Sequence, residues 1–254
     1  MPIVASLAKA VLLEAVRNRL LWLAVVVFAV AFGLAQFLNQ VAITESREIQ
    51  AALLAALLRV AAVFIVAAFV ITSMVRESSD KVNELLLSLP APRSIYFFGK
   101  FAGYAAVAVI LALLCALPLA LFTDPGGLAI WVASLVCELL IVTAMSLFCV
   151  LTLTQVVPAF AAVAGFYLLA RSMAAMQIIA GTALQEPTLT DRVVNAIVEL
   201  IALLLPALDR MTQTTWLLDS APGASTLGAI VGQTAIYLVL IGAAALFDLY
   251  RKNF

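Results

Sequence analysis

Four ionisable residues, Arg59, Glu138, Arg171 and Glu199, lie within long apolar runs of the sequence. A charge there is costly unless it has a partner or a functional role. An enzyme inside a membrane would need such groups to converge as an acid pair, a metal cluster or an activated nucleophile, and the spacing of these four predicts none of those sites. The chain contains no histidine, which excludes Ser-His-Asp and Cys-His catalytic sites. We therefore expect no catalytic activity and no metal site.

The three cysteines offer no alternative chemistry. Cys115, Cys137 and Cys149 are far apart and form no CxxC pair of the kind that binds zinc or cycles between redox states. We interpret them as small apolar side chains in buried segments.

The composition indicates where this chain resides. Of 254 residues, 66% are hydrophobic and 11% are charged, whereas a soluble domain has about 25% charged residues. The formal net charge is zero, so the sequence lacks the clustered basic surface that nucleic-acid binding requires. These features predict a single all-α membrane domain over residues 1–254, with the lipid bilayer as a partner and without nucleic acid.

Six segments are long and apolar enough to span a membrane, which takes about 20 residues. The first begins too far into the chain and is too long for a signal peptide. Thr123, Asp124 and Pro125 lie in the tight turn between the third and fourth spans, and Thr154 and Gln155 separate the fourth from the fifth. The predicted spans are about 20–38, 51–75, 101–122, 128–153, 156–180 and 226–247.

The distribution of Lys and Arg predicts the orientation, because cytoplasmic segments carry an excess of them. With both termini inside, nine basic residues are cytoplasmic and three are outside. This bias predicts a multi-pass protein of the bacterial inner membrane with both termini in the cytoplasm. The outer three are Arg47, Arg192 and Arg210, and the inner nine are Lys9, Arg17, Arg19, Arg76, Lys81, Arg93, Lys100, Arg251 and Lys252.

One further apolar stretch, residues 193–208, lies between spans five and six. It is short for a crossing and contains Glu199 and Pro206, and a seventh span would place Arg251 outside. The sequence therefore predicts a re-entrant or interfacial helix on the outer side.

Two amphipathic segments are predicted on the cytoplasmic side. Residues 3–19 have apolar side chains at helical spacing, interrupted by charges, which is typical of a helix in the membrane interface. In the loop 76–93, Val82, Leu85, Leu86 and Leu89 form one apolar stripe of a short helix that ends at Pro90. Glu77 can pair with Lys81 one turn on. On pattern alone, a solvated loop with an interfacial helix explains residues 76–93 equally well.

The order of residues in this loop resembles the ABC-2 family of exporter permeases. The run ELLLSLP at residues 84–90 is followed by Arg93 and by Gly99-Lys100-Phe101 at the next span. The family's loop typically reads E-x-x-x-G-T-x-E-x-L-L-x-x-P, followed by an Arg and a Gly-Lys. This chain departs from that pattern with Ser79-Asp80-Lys81 where Gly-Thr is common.

The resemblance implies a mechanism and partners. The 77–89 helix would be the coupling helix that inserts into a separate ABC ATPase subunit, which binds ATP and Mg²⁺. The amino-terminal helix with Arg17 and Arg19 would add to that contact, and a second copy of the chain would complete the exporter. The sequence has no GxxxxGK[ST] phosphate loop of its own. The alternative is a non-transporting scaffold or regulatory subunit. The implied contact residues are Arg76, Glu77, Asp80, Lys81, Glu84, Leu85, Leu86 and Leu89.

Glu138 and Arg171 are predicted to form a buried charge pair. Spans four and five are antiparallel neighbours, and the two residues lie roughly 15 Å and 14 Å below their outer ends at about 1.5 Å per residue. Arg59, at a similar depth, competes as a partner for Glu138. The alternative is that Arg171 extends toward the outer headgroups while Glu138 faces a water-filled cavity.

Overall fold

The structure, a computed structural model, describes residues 2–41, 46–80, 93–181, 189–218 and 223–251. All regular secondary structure in these ranges is helical, which confirms the predicted all-α fold. A short 3-10 helix spans Leu208–Arg210. The α-helices are α1 Pro2–Arg17, α2 Leu20–Val41, α3 Ser46–Ser79, α4 Arg93–Leu119, α5 Pro125–Leu153, α6 Val156–Gly181, α7 Leu189–Leu204, α8 Thr215–Leu218 and α9 Ala224–Arg251.

Five of the described helices are long and apolar enough to cross a membrane: Glu48–Ser79, Arg93–Leu119, Pro125–Leu153, Val156–Ile178 and Ser225–Arg251. A sixth span results if α1 and α2, which are bent by 56° at their junction, count together. The chain is thus a multi-pass membrane protein. That α2 alone forms the first of six spans stays a prediction.

The helix α5 is the centre of the bundle. It packs against α3, α4, α6, α8 and α9, and its apolar residues are distributed around the whole helix, as expected of a helix enclosed by others. Trp131, Leu135 and Leu139 on it are fully buried. Pro125 starts the helix, and Thr154, with φ 56°, ends it in the left-handed conformation.

Among the helices that extend beyond their predicted spans are α3 and α4. The helix α3 continues through Ser79, although the prediction ended the span at residue 75, and α4 begins at Arg93 instead of residue 101. Both extensions lie at the same end of the bundle, which we call the α1 end because α1 packs there. Polar residues continue these helices past their apolar cores because the backbone hydrogen bonds do not depend on side-chain polarity.

Close approach of two glycines fixes α1 against α4. A Cβ on Gly99 would lie 2.7 Å from Leu7 Cδ1, and a Cβ on Gly103 would lie 2.7 Å from Val11 Cβ. Glycines four residues apart allow two helix backbones to approach closely. The structure confirms a helix at the start of the chain, Pro2–Arg17, and its position in the plane of the membrane interface stays a prediction.

The predicted outer helix differs in its extent from the observed structure. The helix α7 spans Leu189–Leu204 and packs against α6, whereas residues 205–214 leave the helix at Pro206 because proline interrupts helical hydrogen bonding. We call residues 205–214 the buried loop, since Leu208, Met211 and Thr212 in it are fully buried. The end of the bundle that carries this loop and α8 is the α8 end.

Candidate functional site

Thr212 is the centre of a polar cluster at the α8 end. Its backbone N–H donates to Ser134 Oγ at 2.9 Å, and its carbonyl oxygen accepts from Arg59 Nη1 at 3.1 Å. Its hydroxyl donates to Glu138 Oε2 at 2.7 Å. Thr212 has φ 48°, a conformation that costs free energy for a β-branched residue. These contacts from α3 and α5 hold it in that conformation.

Glu138 is fully buried on α5. Besides the Thr212 hydroxyl, it accepts a hydrogen bond from the Tyr167 hydroxyl, 2.8 Å from Oε1. Both carboxylate oxygens therefore have a donor. Hydrogen bonds to an ionised acceptor are stronger than neutral ones, so the site accommodates a carboxylate without a cation in direct contact.

The hydrogen bonds of Arg171 go to the buried loop, and the direct pair predicted with Glu138 is not among them. The Arg171 Nη1 donates to the carbonyl oxygens of Leu208 and Met211, the latter at 2.9 Å, and lies 3.4 Å from Thr212 Oγ1. Regular α-helical hydrogen bonding does not continue through the buried loop, so its carbonyls accept from the guanidinium, although the Leu208 carbonyl also accepts from the Met211 N–H at 3.1 Å. Thr212 therefore bridges the two charges.

Arg59 approaches the same residue from α3. Its Nη1 contacts both the carbonyl and the hydroxyl of Thr212, while its buried Nε atom has no hydrogen-bond partner within the described part of the chain. Arg59 therefore shares Thr212 with Arg171, and its role as a competing partner of Glu138 stays a prediction. Two guanidinium groups and one carboxylate thus meet around Thr212.

The geometry explains why irregular backbone is tolerated inside the bundle. Backbone at membrane depth needs protein partners for its polar groups, and the two arginines supply donors for three carbonyls of the buried loop.

Glu199, the fourth ionisable residue singled out from the sequence, is exposed on α7. Sequence reasoning missed Ser134, Tyr167 and Thr212 because uncharged polar residues carry no distinctive signal.

A second polar cluster lies at the α1 end. Lys100 Nζ forms an ion pair with Glu77 Oε1, and the two side chains are 4% and 18% exposed. Glu77 therefore faces α4, although it was expected on the face that meets an ATPase. Its predicted pairing with Lys81 lies outside the described residues.

Hydrogen bonds connect α1 to the same end of the bundle. The Tyr104 hydroxyl donates to Ser73 Oγ at 2.9 Å, and the Ser73 hydroxyl donates to Glu14 Oε2 at 2.7 Å. Glu14 on α1, Ser73 on α3 and Tyr104 on α4 thus form a chain across three helices. This chain adds directional contacts to the glycine packing of α1.

Arg93 connects the start of α4 to the end of α9. Its Nη1 donates to the carbonyl oxygen of Leu249 at 2.7 Å and lies 3.4 Å from that of Tyr250. A cation on the last carbonyls of a helix stabilises them by hydrogen bonding and by interaction with the helix dipole.

The structure describes only some of the residues predicted to contact an ATPase. Arg76 is exposed in the last turn of α3, and Asp80 is exposed directly after it. Arg17 and Arg19 are exposed at the junction of α1 and α2. The others, Lys81, Glu84, Leu85, Leu86 and Leu89, lie outside the described residues.

Searches for related proteins found no match, either among the models of known protein families or among curated proteins. Within the described residues, no group of three or more Cys, Asp or Glu side chains could hold a metal ion. The interpretation of function therefore rests on this chain's own residues and on the resemblance of its loop sequence.

Proposed function

We propose that this chain is the transmembrane subunit of an ABC exporter of the bacterial inner membrane. A separate ATPase subunit, which binds ATP and Mg²⁺, would dock on the predicted coupling helix at residues 77–89, and two copies of each subunit would form the transporter. The sequence of residues 76–101 supports this proposal. The contacts that flank residues 81–92 support it further, because they provide a mechanical connection to the bundle.

The observation that carries the proposal is the Lys100–Glu77 ion pair. It joins the last turn of α3, just before residues 81–92, to the second turn of α4, just after them. A buried pair resists separation because each charge alone would be left desolvated. A force on the intervening segment would thus move the ends of α3 and α4 together.

Two further contacts extend this connection. Arg93 links the first residue of α4 to the last turn of α9, and α1 packs on Gly99 and Gly103 of α4. Displacement of residues 81–92 would therefore move four helices as a unit. Rigid-body movement of packed elements is a common way to convert a local change into a global one.

The direct test is purification of the tagged chain from its native membranes. We expect a chain with a GxxxxGK[ST] phosphate loop to co-purify, together with vanadate-sensitive ATP hydrolysis. Leu86→Asp should abolish both, because a charge in the apolar stripe prevents the segment from packing. Leu204→Asp is the matched control, since Leu204 is 78% exposed at the opposite end of the bundle.

Two results would contradict the proposal. Purification of the intact chain without any ATPase would favour the scaffold interpretation, and equal ATPase recovery with Leu86→Asp and wild type would remove residues 81–92 from the interface. Orientation is tested separately with single cysteines and a membrane-impermeant thiol reagent in intact cells. Cysteines at Ser46 and Thr188 should react, and a cysteine at Ser88 should not.

A further inference from the structure

Two arginines flank the bend between α1 and α2. Arg17 is the last residue of α1, Arg19 directly precedes α2, and both are exposed. Their Cα atoms lie no more than about 7.6 Å apart, because successive Cα atoms are about 3.8 Å apart. Within the part of the chain that the structure describes, neither guanidinium has an ion-pair or hydrogen-bond partner. Both charges are therefore free to contact a ligand, and we call these two residues the arginine pair.

The backbone holds the arginine pair in place. Arg19 has φ 56°, a left-handed conformation that is uncommon for a residue other than glycine. The Asn18 N–H donates to the Glu14 carbonyl at 2.7 Å, and the Leu23 N–H donates to the Arg19 carbonyl at 3.0 Å. The hydrogen bonds of both helices thus reach the bend, which turns the chain by 56° and presents the two side chains at a fixed point.

Apolar side chains surround the arginine pair. Four of them are large and more than half exposed: Leu13, Val16, Trp22 and Leu23. Every exposed residue of α2 from Trp22 to Phe37 is apolar, over about 22 Å at about 1.5 Å per residue. In a multi-pass membrane protein such a surface faces hydrocarbon. Trp22 lies at the end of this surface, three residues from Arg19, and tryptophan is enriched at the level of lipid headgroups. The arginine pair therefore lies at headgroup level.

The charge of this part of the chain is positive. Its ionisable side chains on α1, on α2 and at the bend are Lys9, Glu14, Arg17 and Arg19. Glu14 faces α3, where its carboxylate accepts a hydrogen bond from Ser73 at 2.7 Å, whereas Lys9 is exposed. The exposed surface around the bend thus carries cations only, and it attracts an anion.

We propose that the arginine pair binds the phosphate of an anionic phospholipid, whose acyl chains lie against Trp22 and the exposed side of α2. Guanidinium groups match the geometry of phosphate oxygens. The continuous apolar surface beside the pair favours a lipid over a soluble partner. The site does not rest on the exporter proposal, and it assigns to a lipid the two arginines that the family resemblance assigned to an ATPase contact.

The test uses the fluorescence of Trp22 in the full-length chain, reconstituted in phosphatidylcholine vesicles. Small mole fractions of phosphatidylglycerol or phosphatidylcholine with brominated acyl chains serve as quenchers. Trp131 and Trp216, the other tryptophans, are buried, and the Trp22→Phe variant gives their background signal. We expect half-maximal quenching of Trp22 at a mole fraction of phosphatidylglycerol at least about fivefold lower than that of phosphatidylcholine.

Variants of the arginine pair identify the contact. Arg17→Gln with Arg19→Gln should bring the two quenching curves together, whereas Arg17→Lys with Arg19→Lys should keep most of the preference because the charges remain. The matched control is Arg76→Gln with Arg251→Gln, which removes two exposed arginines from the same end of the bundle and should leave the preference unchanged.

Three results would overturn the proposal. The first is equal quenching of wild type by the two lipids, and the second is an equal loss of preference in the control variant, which would indicate attraction to the net charge alone. The third is loss of a co-purifying ATPase in Arg17→Gln with Arg19→Gln while the lipid preference is unchanged. The arginine pair would then belong to the ATPase contact.

Discussion

Thr212 Oγ1 lies 2.7 Å from Glu138 Oε2 and donates a hydrogen bond to it. A residue outside the α-helices thus supplies a hydrogen-bond donor for the carboxylate on α5, the central helix of the bundle. The same hydroxyl lies 3.4 Å from the Nη1 atoms of Arg59 and Arg171. One threonine thus connects the buried loop to α3, α5 and α6. The loop and the charged residues stabilise each other.

Thr212→Val tests this connection with almost no change in shape. The valine leaves Glu138 without one of its two donors and removes an acceptor shared by both arginines, so we expect a loss of about 1–3 kcal/mol in the free energy of unfolding. Thermal unfolding in detergent measures it. Thr72→Val is the control, because the Thr72 hydroxyl is exposed and bonds only to carbonyls of its own helix. Equal melting temperatures for the two variants would show that the Thr212 hydroxyl is unimportant.

Arg171→Leu should destabilise the protein, and adding Glu138→Leu should restore only part of the stability. The second substitution removes the unbalanced carboxylate, but the carbonyls of Leu208 and Met211 still lack their donor. A double-mutant cycle read out by thermal unfolding should show coupling of about 0.5–3 kcal/mol. Complete recovery in the double variant would instead indicate a direct pair between the two side chains.

The sequence predicted the positions of the charges better than their partners. Depth along the helices follows from about 1.5 Å per residue, which placed Glu138, Arg171 and Arg59 in one layer. The path of residues 205–214 does not follow from any periodicity, because the segment is irregular and its contacts come from tertiary structure. Its carbonyls, which determine what Arg171 bonds to, were therefore not predictable.

The same limit applies at the α1 end. The Gly99-Lys100 pair in the sequence indicated the start of a span, but helical periodicity within the loop suggested Lys81 as the partner of Glu77. The structure instead uses Lys100 on α4, which packs beside α3. Local spacing predicts contacts within one helix and does not predict contacts between helices.

Gly127→Ala should be strongly destabilising, whereas Gly126→Ala should have little effect. A Cβ on Gly127 would lie 2.1 Å from the Trp216 carbonyl oxygen, while nothing lies within 4 Å of a Cβ on Gly126. Since backbone must shift to accommodate the methyl group, we expect a loss of at least about 1–3 kcal/mol. Melting temperatures of the two neighbouring variants in the same detergent make the comparison. If both variants melt like the wild type, α8 does not pack on the start of α5 as described.

Reversal of the charges at the α1 end tests whether the Lys100–Glu77 contact connects α3 to α4. Lys100→Glu alone places two carboxylates together at a site where the side chains are 4% and 18% exposed, so we expect a loss of up to about 3–5 kcal/mol. The double variant Lys100→Glu with Glu77→Lys should recover much of it. Arg76→Glu is the control, because Arg76 is exposed in the same turn, and it should change the melting temperature little.

If ATP hydrolysis is coupled through this contact, the single variant should also lose vanadate-sensitive activity that the double variant regains. Failure of the double reversal to recover either quantity would show that the two charges act independently.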